Sequence, residues 1–91
     1  IRVETSTSIN NLEIYPNPSR DIFNVRFTSE SMQSIDVRVV NLVGEIIFVE
    51  SLIDFEGEYT HSFNLKEYSK GIYFLELETE NGKINKKLIL Q

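Results

Sequence analysis

The residues able to do chemistry are few in this chain and badly spaced for it. His61 is the only histidine and there is no cysteine, so nothing completes a metal tetrahedron. There is no HExxH pair, and no GxSxG elbow offers the serine of a triad. Placed between Tyr59 and Phe63 at alternate positions, His61 reads as a strand histidine whose ring is satisfied by its neighbours. Glu76, Glu78 and Glu80 also alternate. As a cluster they would make a carboxylate pair or a cation site; as a strand face they would be its wet side, opposite the lysines of the following strand. The strand-face reading is preferred. The acid-only run Glu45, Glu50, Asp54, Glu56, Glu58 lacks the tight alternating oxygens of a calcium loop within one connection. No glycine-rich phosphate cradle is present. Tryptophan is absent, so a sugar-stacking platform would fall to Tyr15, Tyr59, Tyr68 or Phe55, most of which read as core or strand ends. The chain has no catalytic constellation and needs no metal or cofactor.

Three features stand out instead. In Tyr15-Pro16-Asn17-Pro18-Ser19, each proline fixes its own φ and holds the residue before it extended. Neither Pro16 nor Pro18 can donate to a ladder, so the segment ends a strand, lies on an edge or crosses between sheets. It protects an edge or forms a rigid, donor-poor recognition surface around Asn17. In Gly71-Ile72-Tyr73, a glycine precedes a strand that opens on tyrosine, as in the corner of immunoglobulin-like sandwiches, where the hydroxyl bonds back to the preceding loop. At the C-terminus, Lys83, Lys86 and Lys87 occur without an acid, whereas all 14 acids lie before residue 81. The apolar Leu88-Ile89-Leu90 follows. If that strand lies at a sheet edge, it is an opening for strand addition by a partner.

The elements that must carry these features follow a two-residue period. Phe23, Val25 and Phe27 alternate with polar residues, as do Ile35, Val37 and Val39. Ile46 to Val49 is a denser run, Tyr59, His61 and Phe63 share a face, and so do Tyr73, Leu75 and Leu77. Ile84, Leu88 and Leu90 form a last stripe that Lys86 interrupts. No helical stripe competes. Turns are expected at Asn41-Leu42-Val43-Gly44, with Gly44 left-handed, at Glu56-Gly57-Glu58, and at Asn81-Gly82 as a type I′ hairpin. The fold class is therefore all-β: an immunoglobulin-like antiparallel sandwich of about seven strands, with a small, partly open barrel as the alternative.

With 91 residues the chain is one domain, about 5 to 14 kcal/mol stable. A net charge of −5 argues against nucleic acid, and no apolar run approaches the roughly 18 residues of a transmembrane segment. Residues 1–11, centred on Thr5, Ser6, Thr7 and Ser8, are polar and weakly patterned, which suits a protease-accessible linker from an upstream domain into a folded unit at 12–91. The chain starts at Ile1 rather than Met, as expected of a piece of something longer.

In order, Ile14 to Ser19, Phe23-Asn24-Val25, Val37 to Ile47, Gly71-Ile72-Tyr73-Phe74, Asn81-Gly82 and Lys86 to Gln91 resemble the C-terminal sorting domain of the type IX secretion system of Bacteroidetes. Asn41 stands where aspartate is common, and Tyr68-Ser69-Lys70 replaces a Leu-Pro-Ala-like approach to the glycine. The resemblance implies an immunoglobulin-like domain that directs an upstream cargo across the outer membrane. It passes through the periplasm to the cell surface or the medium, bound by a shuttle protein and the translocon. A sortase-like protease then usually removes it, with Thr5 to Ser8 as the cleavage region. Recognition would fall on Pro16, Asn17, Pro18, Gly71, Tyr73, Lys86, Lys87, Leu88, Ile89 and Leu90. The competing class is an immunoglobulin-like binding or spacer module for carbohydrate or protein.

Overall fold

The alternating runs become strands, and the computed structural model, which describes residues 8–91, has five of them. These are β1 (Ile9–Tyr15), β2 (Ile22–Asn41), β3 (Ile46–Asn64), β4 (Gly71–Thr79) and β5 (Gly82–Leu90). All pairings between them are antiparallel, in the order β1-β2-β4-β5, with β3 also on β2. The first strand begins inside the stretch assigned to the linker: Ile9 pairs with Ser29. The chain is all-β, but the strands are five rather than about seven, because β2 and β3 run on for 20 and 19 residues. Glu56-Gly57-Glu58 is not a connection. It lies within β3, where Gly57 sits opposite Ser29 next to register shifts on either side of Gln33.

Those shifts bend the long hairpin back on itself. Twenty residues of straight strand reach about 65 Å, yet the longest dimension of the molecule is 42 Å. Phe48 and Phe63 both belong to β3, and a straight strand would hold them about 50 Å apart; their ring centroids are 4.7 Å apart. Across the same fold the Tyr59 hydroxyl donates to Glu50 Oε1 at 2.8 Å. Burial first, then that hydrogen bond, pushes the Tyr59 phenol up, so it remains a donor. At the bend itself the buried polar groups hold one another: Gln33 Nε2 donates to Ser29 Oγ at 3.0 Å, and Ser29 Oγ donates to the Ser31 carbonyl at 2.8 Å.

Between the two halves lies one core. Phe23, Phe27, Ile35, Val37, Val39, Leu75, Leu77 and Leu88 are wholly buried within it. Burying each such side chain contributes about 1.5 to 3 kcal/mol, the main favourable term for a chain of this size. His61 is where its spacing put it, its ring tilted against Phe63 at 4.5 Å and Phe48 at 5.2 Å between centroids and stacked with Tyr59 at 6.2 Å.

The turns follow their side chains. Asn41 Oδ1 accepts from the amides of Val43 (3.1 Å) and Glu45 (2.9 Å), and Gly44 takes φ 91°, a conformation costly for any residue with a Cβ. The β4–β5 hairpin closes one residue earlier than expected, on Glu80-Asn81, with Thr79 paired to Gly82. Thr79 Oγ1 accepts from the Asn81 amide at 3.1 Å and donates to the Gly82 carbonyl at 3.3 Å, which holds the turn there.

Candidate functional site

The three features singled out in the sequence meet at one place, the end of β5. Its ladder to β4 pairs Gly71 with Leu90, Ile72 with Ile89 and Tyr73 with Leu88. Gly71 has φ 148°, which favours glycine, and its pairing brings β4 in flush with the last residues of β5. Tyr73 is buried, and its hydroxyl donates to the Ser69 carbonyl at 2.5 Å, which ties the strand to the loop before it.

The other side of β5 is occupied too. Pro16 and Pro18 leave the main chain between β1 and β2 short of donors, and Asn17 and Ser19 supply what is needed. Asn17 Nδ2 donates to the Lys87 carbonyl at 2.8 Å, and Asn17 Oδ1 accepts from the Ile89 amide at 3.0 Å. The Ser19 amide donates to the Ile89 carbonyl at 3.0 Å, and the Ser19 carbonyl accepts from the Gln91 amide at 2.9 Å. This is a short parallel bridge. Ser19 is itself buried, its hydroxyl donating to the Ile22 carbonyl at 2.6 Å and accepting from the Asp21 amide at 3.2 Å. The last strand is an open edge only in its first part: from Lys87 onward it is held on both sides, because an asparagine side chain imitates a neighbouring strand. Replacing Asn17 with alanine is expected to cost about 1 to 3 kcal/mol, since two backbone partners lose their hydrogen bonds. Amide exchange at Ile89 should quicken while amides in the middle of β2 keep their protection.

Each terminal residue has its own role. Leu88 and Leu90 are buried in the core, with Ile84 packed beside them, while Ile89 is half-buried on the opposite face. Lys86 shares the inward face of Ile84 and Leu88 yet is exposed, as is Lys87 on the outer face. An inward-pointing lysine on an edge strand hinders unwanted pairing of apolar edges. The acids of β4 are not neutralised by β5. Lys83 does lie opposite Glu78, but Arg38 on β2 takes both carboxylates, Nη2 to Glu78 at 2.6 Å and Nε to Glu76 at 3.2 Å. The hydrogen bond that Arg38 donates to Glu78 raises its guanidinium above the ordinary value, against the opposing effect of desolvation. Arg38 and Ser19 were not picked out as site residues by their types. The signal for Arg38 was its place on the strand that became the other neighbour of β4.

Next to Gly71 a shallow cavity of about 260 Å³ opens between the β2–β3 turn and the start of β4. Its apolar rim includes Leu42, 67% exposed, and Val43, 80% exposed. Thr5, Ser6 and Thr7 lie outside the described residues. Ser8 lies near the bend, its carbonyl accepting from the Glu30 amide at 2.9 Å. Among the described residues no helix is long and apolar enough to cross a membrane, and no three His, Cys, Asp or Glu side chains gather as a metal site would require.

No curated protein matches the chain. A family model described as the secretion system C-terminal sorting domain matches residues 13–91, from within β1 through the clamped end of β5. That family is a sorting signal rather than a catalytic one. With nearly its whole length covered by that match, the chain belongs to the secretion system C-terminal sorting domains, and it is a C-terminal secretion signal of the type IX secretion system.

Proposed function

We propose that the domain signals by displaying the end of β5, held in one conformation by Asn17 and Ser19 on one side and by Gly71 to Tyr73 on the other. The observation that carries this reading is the convergence of the three sequence features on Lys87 to Gln91. A free peptide tail would lose entropy on binding, whereas a strand already fixed at both edges is pre-organised for its receptor. Pro16, Asn17 and Pro18 then act as the brace, and Gly71 and Tyr73 set the strand beside it. Lys86, Lys87 and Ile89 are what the machinery reads, while the buried Leu88 and Leu90 anchor the strand that presents them. The two facing halves made by the bend support an immunoglobulin-like sandwich in which each long strand serves both sheets.

In this reading an upstream cargo, joined through residues 1–11, is carried through the periplasm with its sorting domain folded. A shuttle protein and the translocon bind the domain. After export across the outer membrane, a sortase-like protease cuts within Thr5 to Ser8, leaving the cargo at the cell surface or in the medium. The test is a fusion of the 91-residue chain behind a fluorescent protein that carries a periplasmic signal peptide, in a host with a type IX system. Export is expected, with mass spectrometry placing the new C-terminus at or before Thr5 to Ser8. Retention of the folded fusion in the periplasm would overturn the proposal.

A further inference from the structure

Asn17 and Ser19 cover only part of the edge of β5, and what they leave open has a definite chemistry. The outward groups they take are the Lys87 carbonyl, the Ile89 amide and carbonyl, and the Gln91 amide. Strand periodicity then points the peptide groups of Lys83 and Asn85 the same way, off the sheet. Among the described residues no main-chain partner meets them. Lys83, Asn85, Lys86 and Lys87 are all exposed, and among the described residues none of the three lysines has an ion pair, because Arg38 holds Glu76 and Glu78.

The other free edges differ in sign. β3 pairs only with β2 and carries Glu50, Asp54, Glu56 and Glu58 with no lysine or arginine. On β1 the one acid, Glu13, is already bonded to Arg26. An acidic strand approaching this domain is therefore repelled along β3 and drawn to the first half of β5.

Building on the sorting reading, we propose that Lys83 to Lys87 is a docking edge for an acidic extended segment of a partner protein, which adds to β5 as a further strand. Its main chain bonds Lys83 and Asn85, and its carboxylates lie beside Lys83 and Lys87 on one face and Lys86 on the other. The Asn17 brace sets the register by ending the free edge at Lys87.

The probe is an eight-residue peptide of alternating glutamate and valine, titrated into the isotope-labelled 91-residue chain. Amide shifts and slowed exchange are expected at Lys83, Asn85 and Lys87, with binding that weakens as salt is raised. Reversing the charges (K83E/K86E/K87E), with circular dichroism confirming the fold, is expected to weaken binding roughly ten-fold or more, since each close pair contributes modestly. The reversed domain should then take a lysine–valine peptide instead. Protection on β1 or β3, indifference to charge reversal, or no binding of the acidic peptide would overturn the proposal. Lysine side-chain shifts without amide protection would do so as well, by showing a surface for any polyanion. Export of the fusion separates the two readings. A folded domain that is never exported defeats the sorting proposal, whereas export of the intact fusion by a domain that does not bind the acidic peptide defeats only the docking edge.

Discussion

Removing Ile89, Leu90 and Gln91 is expected to destabilise the domain by about 3 to 5 kcal/mol, a large fraction of what a chain of this length possesses. Leu90 is 2% exposed and sits opposite Gly71, and losing its burial alone removes about 2 to 3 kcal/mol. The cut also deletes the Ile89 amide and carbonyl and the Gln91 amide, leaving Asn17 and the buried Ser19 without those partners. Released chain entropy at three residues offsets part of this. Denaturant unfolding should show a lower midpoint, and the Ser19 amide should lose its exchange protection. A midpoint unchanged from the intact chain would mean that the end of β5 contributes nothing to the fold.

Leu88→Ala and the double replacement of Lys86 and Lys87 with glutamine should separate folding from recognition. Leu88 has no exposed surface, so its truncation leaves a cavity and is expected to cost about 3 kcal/mol. Its effect on export should then vanish under conditions in which the variant is fully folded. Lys86 and Lys87 are exposed and make no ion pair among the described residues. Their replacement should leave stability within about 0.5 kcal/mol while export of the fusion falls several-fold. Thermal melts and the exported fraction, measured on the same variants, decide the matter. If export merely tracks stability across the set, the lysines are surface and the signal lies elsewhere, with the rim of Leu42 and Val43 beside Gly71 the next place to look.

What the sequence made legible was whatever depends on near neighbours. Period-two alternation placed Phe23, Val25 and Phe27, then Ile35, Val37 and Val39, on the buried face, because a pleat sends successive side chains to opposite sides. Asn41 and Gly44 marked their turn through local hydrogen bonding and backbone freedom. The tyrosine of Gly71-Ile72-Tyr73 found the preceding loop as expected. Continuity through the bend was not legible, since Ser29 to Gln33 has the polar composition of a loop yet buries Ser29 and Gln33, joined by a side-chain hydrogen bond. The sign pattern of Glu76 and Glu78 suggested lysine partners in the next strand, but Arg38 lies two ladders from Lys83 and reaches both acids first. The brace was least visible of all. A side-chain amide bonded to a main chain 70 and 72 residues away leaves no periodic trace, and the prolines around Asn17 announced only that this segment would not pair as an ordinary strand.

The brace also orders events in time. The β2–β3 hairpin can zip outward from the turn at Asn41, and β4–β5 from the turn at Glu80-Asn81, each adding contacts between residues already close along the chain. Asn17 meeting Ile89 closes a span of 72 residues, and loop closure on that scale costs about 4 kcal/mol of entropy before any contact repays it. Zipping of the two hairpins shortens that span first. The bond between the proline segment and the last strand is thus a late step in folding and an early one to be lost in unfolding. On the proposal that a receptor reads β5 in its braced form, that receptor reads the completion of folding, and a cargo whose sorting domain is still assembling would wait at the gate.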